Sequence, residues 1–149
     1  MADLVSDEEG GARDEPVLRV ALVVLKTLEP GAAANVAALM MGQLARRVDG
    51  LYAGVPLLDR LGMEHAAIRY STVVLKGGPA QLRTAAMKAN AEEGIACVLF
   101  SQLGRSLHNA FEQYAAAVRD QGEMDLAGIG IAGRDEPVRA LTRSFSLLT

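Results

Sequence analysis

The chain has 149 residues, a formal net charge of -3, one cysteine, no tryptophan and only 4% aromatics. That length suits a single core, the acidic balance and scarcity of stacking side chains argue against broad nucleic-acid binding, and a lone cysteine excludes a disulfide framework. Half of the residues are hydrophobic, yet no apolar run approaches the ~20 residues that cross a bilayer, so no membrane span is expected.

The opening residues, MADLVSDEEGGARDEPV, are acidic and carry neither the basic region nor the apolar stretch of a secretory leader, so the cytoplasm is the expected location. Residues 1–15 are too poor in apolar side chains to offset their ordering entropy, which predicts a flexible acidic tail ahead of a single α/β domain over 16–149. Residues 17–26, VLRVALVVLK, are β-branched and almost continuously apolar, as in a strand covered on both faces. Pro30 then suits the first turn of a helix. Val36, Met40, Leu44 and Val48 recur every fourth residue beside Ala33, Ala37 and Met41 to give that helix one apolar face.

Residues 51–70 mix periodicities and turn signals and read as an irregular excursion. STVVLKGG, 71–78, predicts a second strand, and 79–94 a helix with Leu82, Ala85, Ala86 and Ala89 on one face and Gly94 as its C-cap. IACVLFS, 95–101, predicts a third strand, where Cys97 reads as a small buried hydrophobe. A long helical pattern over 106–122 aligns Leu107, Phe111, Tyr114, Ala115 and Val118; a glycine-rich strand over 126–133 and a final helix over 135–145, N-capped by Asp135, complete the chain.

Strands alternating with helices predict a three-layer α/β/α sandwich around a small mixed, largely parallel sheet. Ligands of such sheets sit beyond the carboxyl ends of the strands. Those ends carry Lys26, then Lys76 with Gly77 and Gly78, then Ser101, Gln102, Gly104 and Arg105, groups able to hold an anion through side chains and backbone N–H. The lysines equally mark where each strand leaves the core for water. Asn35, a poor helix former in an alanine-rich helix, either joins this group or bonds a neighbouring loop.

Other patterns carry less. GIGIAG, 128–133, matches a dinucleotide-binding glycine motif, but too little chain follows for the helix, second strand and acidic residue that such a site needs, so the glycines read as room for close helix packing. His108 and Glu112 are one helical turn apart, but two ligands do not make a metal site, and His65 has no ligand spacing around it. No metal or cofactor is expected.

The succession of RVALVVLKTLEPGAAANVAALMMG, STVVLKGGPAQLRTAAMKANAEEGIACVLFSQLGRS and GIGIAGRDEPVRALTRSFSLLT resembles the type II peptidyl-tRNA hydrolase fold, and more closely an uncharacterised bacterial family, a domain of unknown function, with that fold. The resemblance covers nearly all of 17–149 and implies a hydrolase-like cleft. Asn35 matches the amide residue of the hydrolases. Their lysine position falls on Gly31 or Ala32, their histidine position near Ala38, and their aspartate before glycine-arginine corresponds to Gln102. A neutral glutamine cannot replace an ionised carboxylate as general base.

The expected protein therefore binds a small or anionic ligand, or a partner segment, through Lys26, Asn35, Ser101, Gln102, Gly104 and Arg105, without the catalytic groups of the hydrolases. The alternatives are a divergent ester hydrolase of that type, and an assembly protein forming a homodimer through the apolar faces of the segment 106–122.

Overall fold

The computed structural model describes residues 15–120, 122 and 125–149, so residues 1–14 of the expected tail lie outside the described residues. Five strands form one sheet: β1 (Leu18–Leu25), β4 (Ser71–Gly77), β5 (Ala96–Ser101), β6 (Leu126–Arg134) and β7 (Ser146–Leu147). Two further short strands, β2 (Leu57–Leu58) and β3 (Glu64–His65), pair with each other. The helices are α1 (Pro30–Arg47), α2 (Pro79–Ala91), α3 (Gln102–Ser106), α4 (Phe111–Asp120) and α5 (Asp135–Leu141).

The strand order is β5-β6-β1-β4-β7. Only β1 and β4 pair in parallel; β6 runs antiparallel to both β1 and β5, and β7 antiparallel to β4. The sheet is mixed but mostly antiparallel, which corrects the expectation of a largely parallel one. An apolar strand buried on both faces looks the same whichever way its neighbour runs, so the pattern of β6 identified a strand without fixing its direction.

The continuous apolar run of β1 has a direct cause. Val20, Leu22 and Val24 point to the face covered by α1, where Ala33, Val36, Ala37, Met40 and Leu44 are buried. Ala21, Val23 and Leu25 point to the other face and meet Leu82, Ala85, Ala86 and Ala89 of α2 and Val138 of α5. Alternate side chains of one strand thus fill two separate cores, at roughly 1.5–3 kcal/mol per fully buried large aliphatic side chain. The glycine-rich strand β6 follows the same logic. A Cβ on Gly128 would stand 2.8 Å from Met40 Cε and 2.9 Å from the Val23 carbonyl oxygen, and one on Gly130 would stand 3.0 Å from Leu44 Cδ1. The missing side chains let α1 lie close over the sheet while Ile129 and Ile131 fill the opposite face.

Several local expectations need correction. Helix α2 ends at Ala91 with Glu92 as C-cap; Gly94 takes its left-handed φ of 83° in the turn that follows. The pattern over 106–122 splits into α3, a turn and α4: Ser106 Oγ donates to the Leu103 carbonyl (2.9 Å), and Asn109 adopts φ 56° in the break. Asp135 is the first residue of α5 rather than its cap; its carboxylate accepts from Arg139 Nε at 2.8 Å. That helix stops at Leu141, Thr142 Oγ1 donates to the Val138 carbonyl (2.8 Å), and the chain turns to add β7 outside β4.

The segment 51–70, expected to be irregular, is a hairpin arm built on β2 and β3, with Tyr52 bridged to Ile68 at its root. Asp59 organises its turn. Its Oδ1 accepts from the backbone N–H of Leu61 (2.8 Å) and Met63 (3.1 Å), and its Oδ2 lies 2.8 Å from His65 Nε2. These bonds, that to His65 first, hold the Asp59 carboxyl below the usual aspartate range.

Candidate functional site

Val24 of β1 and Phe100 of β5 both pair with Gly128, from opposite sides of β6. The two strands therefore point the same way, two strand spacings or roughly 10 Å apart, and β4 runs beside β1 in the same direction. The carboxyl ends of β1, β4 and β5 meet at one edge of the sheet even though most of the pairing is antiparallel.

At that edge the six expected site residues fall into three places. Ser101, Gln102, Gly104 and Arg105 share one turn. Ser101 is buried and caps α3 by accepting from Gly104 N–H at 3.1 Å; Gln102 N–H donates to the Asp125 carbonyl at 2.8 Å; and Gln102 Oε1 accepts from Arg105 Nη1 at 2.8 Å. Lys26 lies on the far side of β6, its backbone N–H bonded to Gly77 O (2.9 Å) and its ammonium end lying over Gly78. Asn35 stands exposed in the second turn of α1. Among the described residues no hydrogen bond joins Lys26 or Asn35 to the turn, and the local bond offered as an explanation of Asn35 is not made. The glycine pair after β4 is occupied by structure: the Phe145 ring packs where a Cβ of Gly77 would stand, and Gly78 N–H donates to Gln81 Oε1 at 2.9 Å, starting α2.

Beside the Ser101 turn is an open groove of about 480 Å³, bounded by Leu39 of α1, Phe100 and Gly104, and the Leu107 to Tyr114 segment. Gly104 sets its floor. A Cβ there would come within 2.8 Å of the Phe100 ring and 3.2 Å of the Tyr114 ring, so only glycine lets the α3 backbone settle between them. The two rings lie 6.2 Å apart and tilted by 53°, the offset edge-on contact that aromatic quadrupoles favour. Leu39 is 49% and Phe111 68% exposed. Asn35 precedes Leu39 by four residues and so belongs to the same stripe of α1, one turn nearer the sheet edge.

Sequence reasoning missed the apolar walls. Phe111 and Tyr114 align on one apolar face of a single long helix, the face offered as a dimer surface, but the structure sets them along the groove, and of the aligned residues on α4 only Ala115 is buried. Leu39 was the available signal, since it falls off the every-fourth-residue stripe of Val36, Met40 and Leu44. His108 sits in the turn ahead of α4, so the helical spacing that paired it with Glu112 does not hold. Among the described residues no three His, Cys, Asp or Glu gather into a metal-holding group. Cys97 is part-buried in β5, and burial pushes its thiol pKa up, with the Arg47 charge opposing in part, as in an unreactive thiol.

At the positions that the resemblance aligns with hydrolase groups, Gly31 looks onto open space where a side chain would meet nothing within 4 Å among the described residues, Ala38 is exposed, and Gln102 is engaged with Arg105.

No helix among the described residues is long and apolar enough to cross a membrane. A search of curated proteins finds no match. Among solved structures, a protein of unknown function, Atu0240 from Agrobacterium tumefaciens strain C58, is similar with a TM-score of 0.76 and 15% identity over 89% of this chain and 98% of that one, a likeness of fold. The model of DUF2000, a family described as proteins of unknown function, matches residues 18–149, and the chain belongs to that family.

Proposed function

We propose that this protein is a binding protein whose groove beside α3 takes a small, partly apolar ligand with a polar or anionic end, or a partner segment of that chemistry. The observation that carries the reading is Gly104, where exclusion of any side chain opens the α3 backbone onto a groove walled by Leu39, Phe100 and Tyr114. Apolar walls supply most of the binding energy of such grooves, and a few polar groups fix orientation. The ligand's apolar body lies on Phe100 and Tyr114. Its polar end turns toward Asn35 on one side and Gln102 and Arg105 on the other, while Ser101 holds the turn. Lys26 contributes long-range positive charge from across β6. The helices on both faces of the sheet support the three-layer sandwich and the hydrolase-like fold of the same reading. A divergent ester hydrolase is less favoured, because Gln102 and Ala38 offer no general base.

The test is an NMR titration of the whole chain with small aromatic carboxylates, run beside inorganic phosphate. Binding moves the amide signals of Gly104, Leu107 and Tyr114 with the carboxylate and far less with phosphate. Undisturbed groove signals, or shifts confined to Lys26 and Gly78, would sink the proposal.

A further inference from the structure

Among the described residues, the hairpin arm carries apolar side chains with nothing over them: Leu61 is 88% exposed, Val55 73%, Met63 63%, and Leu57 and Leu58 more than half. A two-stranded ribbon has no second layer in which to bury either face, and such a hairpin is marginal alone in water. Yet the arm is held firmly. Arg69 N–H donates to Leu51 O at 2.8 Å beside the buried Leu51, and Asp59 fixes the tip through four bonds with the backbones of Leu61, Gly62 and Met63 besides its contact with His65. The framework keeps these side chains away from both cores.

We infer that the arm is the surface through which two copies of this chain associate, each arm covering the other about a two-fold axis. Area supports it. Five such side chains offer roughly 100 Å² apiece, so two arms together reach the ~1,000 Å² that a specific interface must clear. Charge supports it too. Within 51–70, Asp59 and Glu64 balance Arg60 and Arg69, so identical arms meet without net repulsion, although the whole chain is at -3. A closed two-fold pairing buries both arms at once and leaves neither free to propagate. The groove beside α3 plays no part, so this inference is independent of the binding proposal.

Sedimentation equilibrium of the whole chain at micromolar concentration tests it. The expected mass is twice 15.7 kDa, falling twofold in a Val55→Glu, Leu61→Glu double variant and unchanged in Phe111→Glu. Circular dichroism checks that the double variant, altered only at exposed positions, remains folded. A monomeric wild-type chain, a dimer that survives the double substitution, or one that Phe111→Glu dissolves would each overturn the inference. So would a monomer whose arm binds vesicles of mixed phosphatidylserine and phosphatidylcholine.

Discussion

Helix α1 and the hairpin arm are built from similar apolar residues and end in opposite situations. In α1, Val36, Met40 and Leu44 recur every fourth residue and all three are at most 2% exposed. In the arm, Leu57, Leu58, Leu61 and Met63 follow no period that either core of their own chain could satisfy, and all are more than half exposed. Hydrophobicity alone therefore does not decide burial here. What decides it is whether the spacing presents the side chains to a layer that already exists.

Truncating one leucine in each region separates the two situations most strongly. Leu44→Ala should lower stability by about 3 kcal/mol in denaturant melts, because a fully buried site loses both its transfer energy and its packing. Leu61→Ala, measured at dilution, should stay within about 0.5 kcal/mol of the parent. Equal losses at the two positions would show that the arm belongs to the folding core.

A smaller effect is expected where α1 meets the sheet. Gly128→Ala should cost about 2 kcal/mol, since the added methyl meets Met40 Cε at 2.8 Å and a backbone oxygen at 2.9 Å that cannot swing aside. A neutral melt would mean that the helix can ride outward. The smallest effect belongs to the arm's turn. The native pKa of Asp59 is depressed, so its contribution is fully present above the unfolded aspartate value of about 4. It is lost as pH falls through the lower native pKa. The Leu61 and Met63 amide signals should move together across that acid window, and Asp59→Asn should abolish the inflection. Amides that titrate elsewhere would separate the turn from Asp59.

Much of the framework was legible in the sequence, because β1, α1, β4, α2 and β5 each carry a period tied to one or two covered faces. The direction of β6 was not, since Ile129 and Ile131 would be buried beside either kind of neighbour. The arm was not, because its strands are two residues long and its organiser, Asp59, acts through backbone bonds that leave no periodic trace. The turn at Ser101 to Arg105 was located correctly at the sheet edge. Its apolar surroundings were not, because Phe111 and Tyr114 align on one continuous helix over 106–122, whereas the break at Asn109 sets α4 apart and carries them to the groove.

Strand β7 has a bearing on how this protein fails. Its two residues pair with Leu75 and Lys76, and Leu148 N–H donates to Val74 O at 3.0 Å, so a few bonds occupy the outer side of β4. A chain cut before Ser146 would keep both cores intact and uncover a row of unpaired donors and acceptors beside Val73, Val74 and Leu75. Strand addition between molecules is the hazard of such an edge. The damage from clipping the last residues would then appear as aggregation of folded molecules, long before any loss of the fold itself.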